Sequence, residues 1–247
     1  MRGIIARVGG KSKLKYIINT HIPNHKKYIE PFIGGGSIFF HKDKSDYEVV
    51  NDIDIDVYNI FNDMKTDGEK IIDMDFIPDR DIFNTFLSQE TEPLHEAVED
   101  RLYRNLYISL FSFKGERKGY IGYKKEKAWG YGGGKKYKNT KYKDRLKNVI
   151  IENKDWRDIV LKYDSYDAFF YLDPPYSCAE NNDDYKYNSI NINEMVDILK
   201  NLKGKFLLSY DKNDPFLNKG FNIINVETQY KTKGKPVNKN EYLIRNY

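Results

Sequence analysis

Apolar and polar positions follow one rhythm at the two ends of this chain and another in its middle. Near the start, "RVGGKSKLKYIINTHIP" sets a glycine pair before a basic, amphipathic stretch that ends at Pro23. "KYIEPFIGGGSIFF" predicts a strand over Tyr28–Phe32, a glycine turn over Gly34–Gly36 and a helix start capped by Ser37. "YEVVNDIDIDVYNIFNDMK" predicts a second strand, Tyr47–Asn51, then a cluster of acids, then a helix whose first turn suits negative charge. From Asp63 to Leu102 apolar residues recur with helical spacing beside acidic faces.

The rhythm breaks over Lys114–Lys147, which is rich in Gly, Lys and Tyr and has little helical or strand period. This segment predicts an exposed recognition element, part β-hairpin and part mobile loop. Regular alternation then resumes. "VIIEN" reads as a strand, "WRDIVLKY" as a helix, "AFFYLD" as a strand, and "NINEMVDILKNL" as a helix capped by Asn191 or Asn193. "KFLLSY", "FNIINVE" and "EYLIRNY" are strands, and the closing ones have no helix between them, so the sheet ends in an antiparallel hairpin. The fold class is α/β.

A chain of 247 residues can bury a substantial core, as one large domain or as a domain with an insert. The formal net charge of +4 allows a polyanionic partner without demanding one. Tyrosine is abundant at 21 against two Trp, and with Lys, Asn and Ile it matches the bias of an AT-rich genome, which accounts for part of the basic and aromatic content. A single Cys178 excludes an intrachain disulfide framework and a cysteine-based zinc site. The histidines are scattered, so no metal is expected. No apolar run is long enough to span a membrane and no signal-peptide pattern is present, which predicts a soluble, intracellular protein.

Three motifs carry chemistry. In "EPFIGGGS" a strand, a tight glycine turn and a helix start would let a nucleotide-like ligand approach the backbone; the plain alternative is a strand–helix turn. It is neither GxGxxG nor GxxxxGK[ST], so neither a dinucleotide fingerprint nor a P-loop is supported. In "VVNDID" an acid ends the second strand about twenty residues after the glycine turn, where acids commonly bind ribose hydroxyls. Asp52 is the first choice and Asp54 the second, and helix capping is the plain alternative for both. In "LDPPY" Asp173 ends a strand, Pro174 and Pro175 stiffen the turn, and Tyr176 offers a flat face. The carboxylate and the Pro174 carbonyl suit the two N–H groups of an exocyclic amine, with the ring stacked on the base.

In this order, "RVGGK", "EPFIGGGS", "NDIDID" and "DPPY" resemble the Dam-like adenine-N6 DNA methyltransferases, and "EYLIRNY" resembles that family's last strand. The resemblance covers both ends of the chain and is weak over Lys65–Lys147. It implies a Rossmann-like S-adenosylmethionine-dependent methyltransferase sheet formed by residues 1–62 and 148–247, with residues 63–147 as a mainly helical and loop target-recognition insert. It implies that Arg7, Gly9, Gly10 and Lys11 line the cofactor pocket from the N-terminal side. Phe32, Gly34, Gly35 and Gly36 would pack against the methionine part, Glu30, Pro31 and Ser37 would also be cofactor-binding, and Asp52 would bind the ribose. Asp155 and Trp156 match an acidic–aromatic pair that holds the cofactor's adenine. Asp173, Pro174, Pro175 and Tyr176 would hold the target adenine, with Asp173 also facing the cofactor.

The implied reaction moves a methyl group from S-adenosylmethionine to adenine N6 in double-stranded DNA, leaving S-adenosylhomocysteine, by base flipping and direct in-line transfer without metal. Lys114, Arg117, Lys118, Tyr120, Lys124, Lys125, Trp129, Lys135 and Lys136 would grip phosphates and stack on bases; the plain alternative is a solvated loop. The chain departs from the family at Arg7, where a Trp is usual. It also departs after "RLYRNLYISL", where "FSFKGERKGY" replaces an Asn- and Gly-rich signature. Rival readings are methylation of RNA adenine, cytosine N4 or a glutamine amide, whose sites commonly carry Asn or Ser in place of Asp173. A catalytically silent DNA-binding partner and a nicotinamide oxidoreductase are further rivals. A monomer or homodimer, the cytoplasm of a prokaryote or virus-infected cell, and a companion restriction nuclease all suit this reading.

Overall fold

The computed structural model describes residues 1–7, 9–89, 97–112, 115, 117–121, 134–176, 190–232 and 235–247. Strands β1 (Lys27–Glu30), β2 (Tyr47–Asn51), β3 (Ile150–Glu152), β4 (Ala168–Leu172), β5 (Lys205–Tyr210), β6 (Asn222–Thr232) and β7 (Lys235–Arg245) form one sheet. Its spatial order is β3-β2-β1-β4-β5-β7-β6. The first five strands run parallel, while β7 is antiparallel to both β5 and β6. This is the expected Rossmann-like methyltransferase sheet with its terminal hairpin.

The helices are α1 (Lys15–Thr20), α2 (Ile55–Asp67), α3 (Arg80–Ser88), α4 (Val98–Phe111), α5 (Lys141–Leu146), α6 (Trp156–Tyr163) and α7 (Ile192–Lys200). Side chains alternate across each strand. Tyr28, Phe169 and Tyr171 join a core with residues of α2, α4 and α5. Ile29, Phe170 and Leu172 join a second core with α6 and α7. All five residues of β4 are buried because both faces of that strand are covered.

Start and stop signals explain the boundaries. Asp54, Asp79, Asp155 and Asn191 cap α2, α3, α6 and α7, each side chain accepting a backbone N–H from the first turn. The strand expected over Tyr28–Phe32 stops at Glu30, since Pro31 has no N–H to extend the ladder. Nor does a full helix follow the glycine turn. Phe40 donates to the Gly36 carbonyl at 3.0 Å and Lys42 to Ile38 at 3.0 Å, and the chain turns away. Ile38, Phe39 and Phe40 are all buried there, so the segment sinks into the core instead of presenting a polar face.

The middle of the chain shares the sheet's core. Phe76, Phe83, Leu106, Tyr137 and Tyr142 belong to the same buried cluster as Phe39 and Val57, and α2 runs unbroken past residue 62. The end of the basic stretch is not exposed loop. Residues Lys141–Leu146 are helical, with Tyr142, Arg145 and Leu146 buried. Two tyrosines of the basic stretch are core instead, Tyr137 and Tyr142 being 1% and 4% exposed. Among the described residues no helix is long and apolar enough to cross a membrane.

Candidate active site

The direction of the connections reverses between β1 and β4, and the carboxyl ends of such a pair are where open α/β sheets bind ligands. A cavity of about 420 Å³ opens there. Its wall contains Arg7, Gly9, Gly10, Lys11, Glu30, Pro31, Phe32, Gly34, Gly35, Ser37, Asp52, Asp155 and Trp156 on one side of the reversal, and Asp173, Pro174, Pro175 and Tyr176 after β4. Gly36 is buried outside this lining, and a Cβ there would lie 2.8 Å from the Phe40 ring.

The glycine turn has its own reason. Gly34 has a φ of +47°, a conformation that favours glycine. At Gly35 a Cβ would come within 2.4 Å of the Ile5 carbonyl oxygen, because the N-terminal segment lies directly across the turn. Ile4 donates its N–H to the Gly35 carbonyl at 2.8 Å, which fixes that crossing.

Asp52 accepts the Gly34 N–H at 2.8 Å and the Asp54 N–H at 3.0 Å. Burial pushes its carboxyl up to about 6, although Arg7 and both backbone N–H groups pull the other way. Asp54 is the cap of α2 and also pairs with Arg7 at 2.7 Å. Arg7, the departure from the family pattern, thus closes this corner by an ion pair. Asp155 caps α6 and pairs with Arg157 at 2.8 Å, and Trp156 lies 6.1 Å from Phe32, ring centre to ring centre.

At the other end, Lys11 Nζ sits 2.6 Å from Asp173 Oδ1 and 3.4 Å from Glu241 Oε1. Lys11 and Glu241 are both buried. Burial disfavours the Lys11 ammonium, but Asp173 and Glu241 outweigh it and hold the pKa above its ordinary value. Burial lifts Asp173 to about 6 against the pull of Lys11. The Tyr176 hydroxyl donates to Glu241, and its ring lies 4.5 Å from Lys11 Nζ and edge-on to Tyr210. Glu30 accepts the Tyr28 hydroxyl at 2.6 Å, and burial raises its pKa well above the usual range.

Two residues of this site were not singled out by sequence reasoning. Asn51 bridges three loops: it donates to the Pro31 carbonyl at 2.9 Å and the Lys154 carbonyl at 3.0 Å, and accepts the Lys154 N–H at 2.9 Å. Glu241 projects from β7. The available signal was an Asn closing an apolar strand and an acid opening "EYLIRNY".

Of the expected DNA-binding residues, none of those described lines this cavity. Lys114, Lys124, Lys125 and Trp129 fall outside the described residues. Lys118 and Lys135 are exposed. Arg117 donates to Asn105 at 2.9 Å and lies 3.5 Å from Asp56. Tyr120 packs on Phe83 with ring centres 5.5 Å apart. Lys136 reaches the Gly3 carbonyl at 3.3 Å, and burial lowers its pKa to about 8. Among the described residues no group of three or more His, Cys, Asp or Glu side chains could hold a metal ion.

The cavity thus lies at the reversal of a mostly parallel α/β sheet and ends at Asp173–Tyr176, a place suited to a small ligand. Residues 8–232 match the model of the D12 class N6 adenine-specific DNA methyltransferases, and the chain belongs to that family. It is 27% identical to the type II methyltransferase M.MjaIII of Methanocaldococcus jannaschii, over 87% of each chain. It is 26% identical to M.CviBI of Paramecium bursaria Chlorella virus NC1A over the whole of both chains. It is 24% identical to the DNA adenine methylase of Escherichia coli K12, over 82% of this chain and 76% of that one. The enzyme is an adenine-specific DNA methyltransferase, and membership of this family implies use of S-adenosylmethionine.

Proposed function

We propose that the cavity holds S-adenosylmethionine against the loops after β1, β2 and β3, and receives a flipped adenine against Asp173–Tyr176. The supporting observation is that both sets of residues line one continuous space, whose volume suits a ligand of that size. Asp52 keeps lone pairs for a ribose, Phe32 and Trp156 offer flat apolar surface, and the acids of the lining suit a cationic donor.

When bound, S-adenosylmethionine supplies a methyl group already activated by its sulfonium. The chain's own contribution concerns the acceptor. The N6 lone pair is delocalised into the purine, so the amine is a weak nucleophile. Asp173 and the Pro174 carbonyl accept its two N–H groups, favour a pyramidal nitrogen and stabilise the positive charge that develops there. Pro174 and Pro175 keep these acceptors rigid, so little orientation is lost as the base arrives. Tyr176 stacks on the base and offsets part of the few kcal/mol needed to unstack it. Transfer is direct, with no covalent enzyme intermediate.

Residues 63–147 serve as the target-recognition part, with the exposed Lys118 and Lys135 on double-stranded DNA. Phe83, Leu106 and Tyr137 of this part are packed into the sheet's core, which ties it to the site. Single-base mapping of N6-methyladenine in DNA from cells expressing the chain tests the reading. The expected result is methylation at one short sequence. S-adenosylmethionine binding with no methylated adenine in any DNA would overturn it.

A further inference from the structure

Lys11 is in an unusual position for a residue of a cofactor pocket. Its ammonium rests on the Asp173 carboxylate at 2.6 Å and over the Tyr176 ring at 4.5 Å. Those are the two contacts assigned above to the target amine and its base. A lysine left there would compete with the incoming N–H groups for the same carboxylate oxygens. A buried ammonium cannot simply let go, since an unpaired charge in this setting costs several kcal/mol.

The fold supplies a second acceptor. Glu241 Oε1 is 3.4 Å from the same nitrogen, and the Gly9 carbonyl accepts from it at 3.0 Å. Glu241 is fixed by the Tyr176 hydroxyl and by its place in the β6–β7 ladder opposite Val226. Two carboxylates therefore share one cation, and moving Lys11 from one to the other leaves it paired throughout. Glu30, the nearby third acid, is engaged by Tyr28 and kept toward its neutral form by burial, so it does not compete for the lysine.

We infer that Lys11 holds the place of the target amine in the free enzyme and that Glu241 is the positioning residue that receives Lys11 when the base enters. This rests on the assignment of Asp173 and Tyr176 to the target adenine. The charge balance supports it. Lys11, Asp173 and Glu241 together leave one net negative charge, which matches the single positive charge that develops on the amine. Once Lys11 sits on Glu241, the Asp173 oxygens face the base with no other side-chain donor among the described residues bonded to them.

The test is a double-mutant cycle on Lys11 and Glu241, with methyl transfer to unmethylated genomic DNA measured at saturating S-adenosylmethionine. Glu241→Gln is expected to lower kcat/KM for DNA about tenfold, with Kd for S-adenosylmethionine unchanged, because Lys11 then stays on Asp173. Adding Lys11→Met to that variant is expected to restore about threefold or more, because Asp173 is freed. A merely structural Glu241 would leave the double variant as slow as Glu241→Gln or slower, and that result overturns the inference. So does full activity of Glu241→Gln. Calorimetric titration with S-adenosylmethionine checks that each variant is folded, and Lys11→Gln replaces Lys11→Met if the latter fails to bind. Asp173→Ala separates the two layers. If it still methylates, the target-base assignment itself fails; if it is inactive and the cycle shows no rescue, only the hand-over fails.

Discussion

Gly34 donates its N–H to Asp52 Oδ2 at 2.8 Å, tying the turn after β1 to the acid after β2. The bond places a carboxylate beside a backbone that carries no side chain, in the lining of the cavity. Asp52 clamps the glycine turn, and on the proposed reading it also accepts from the cofactor's ribose. Asp52→Ala is expected to raise Kd for S-adenosylmethionine about tenfold or more, as a lost charge-assisted bond would. Affinity should also fall as pH drops through about 6, where this carboxyl takes up its proton and stops accepting. Titration calorimetry at two pH values checks both.

On the proposed reading Asp173 has to be ionised to accept the target N–H groups, and burial lifts it to about 6. Activity should therefore be present above that pH and fall below it. Stability runs the opposite way. A carboxyl whose folded pKa is raised contributes fully below its unfolded value of 3.8, and the contribution is lost as pH rises through about 6. The expected signature is an acid limb in kcat near that value. Asp173→Ala should reduce kcat about 100-fold or more while DNA affinity survives. Rates across pH, with gel-shift binding, check this.

Tyr176 presents its ring to the space beside Asp173, while its hydroxyl is held by Glu241. Replacing the ring should weaken the target-base side and spare the cofactor. Tyr176→Ala is expected to cost about 1–3 kcal/mol of base stacking, read as a loss of kcat/KM for DNA at unchanged Kd for S-adenosylmethionine. A variant that loses only cofactor affinity would move the ring to the other half of the cavity.

Much of this was legible in the sequence, for identifiable reasons. β2, α6 and β5 begin and end where an apolar run or helical period meets a charged or capping residue, so local chemistry sets them. Asp54 fitted capping as well as ribose binding, and it is indeed the α2 cap. What was not legible depends on partners remote in sequence. Lys136 reads as a surface cation until Gly3 is found beneath it. Glu241 reads as the polar start of a strand until β7 carries it to Lys11. The missing helix after Gly36 was a question of burial, which a glycine turn alone does not reveal.

Arg145 shows how far a basic stretch can mislead, and it gives a last test. It lies within Lys114–Lys147, yet it is buried, donates to Glu48 Oε1 at 2.9 Å and stacks its guanidinium 3.9 Å from the Phe39 ring centre. Lys42 reaches the same Glu48 oxygen at 2.6 Å. Burial alone would raise the Glu48 carboxyl, but Arg145 and Lys42 outweigh it and hold it below the usual range. Its contribution to stability is therefore present at neutral pH and lost as acid protonates it. Removing Arg145 leaves Glu48 with Lys42 as its remaining charged partner, so Arg145→Ala is expected to cost about 1.5–3 kcal/mol of folding stability, as loss of a charge-assisted hydrogen bond would, seen by urea unfolding. The same variant, kept cold and folded, should bind DNA with an unchanged salt dependence. A residue that contacts phosphate would instead reduce that slope by about one, and such a change would return Arg145 to the DNA-binding face.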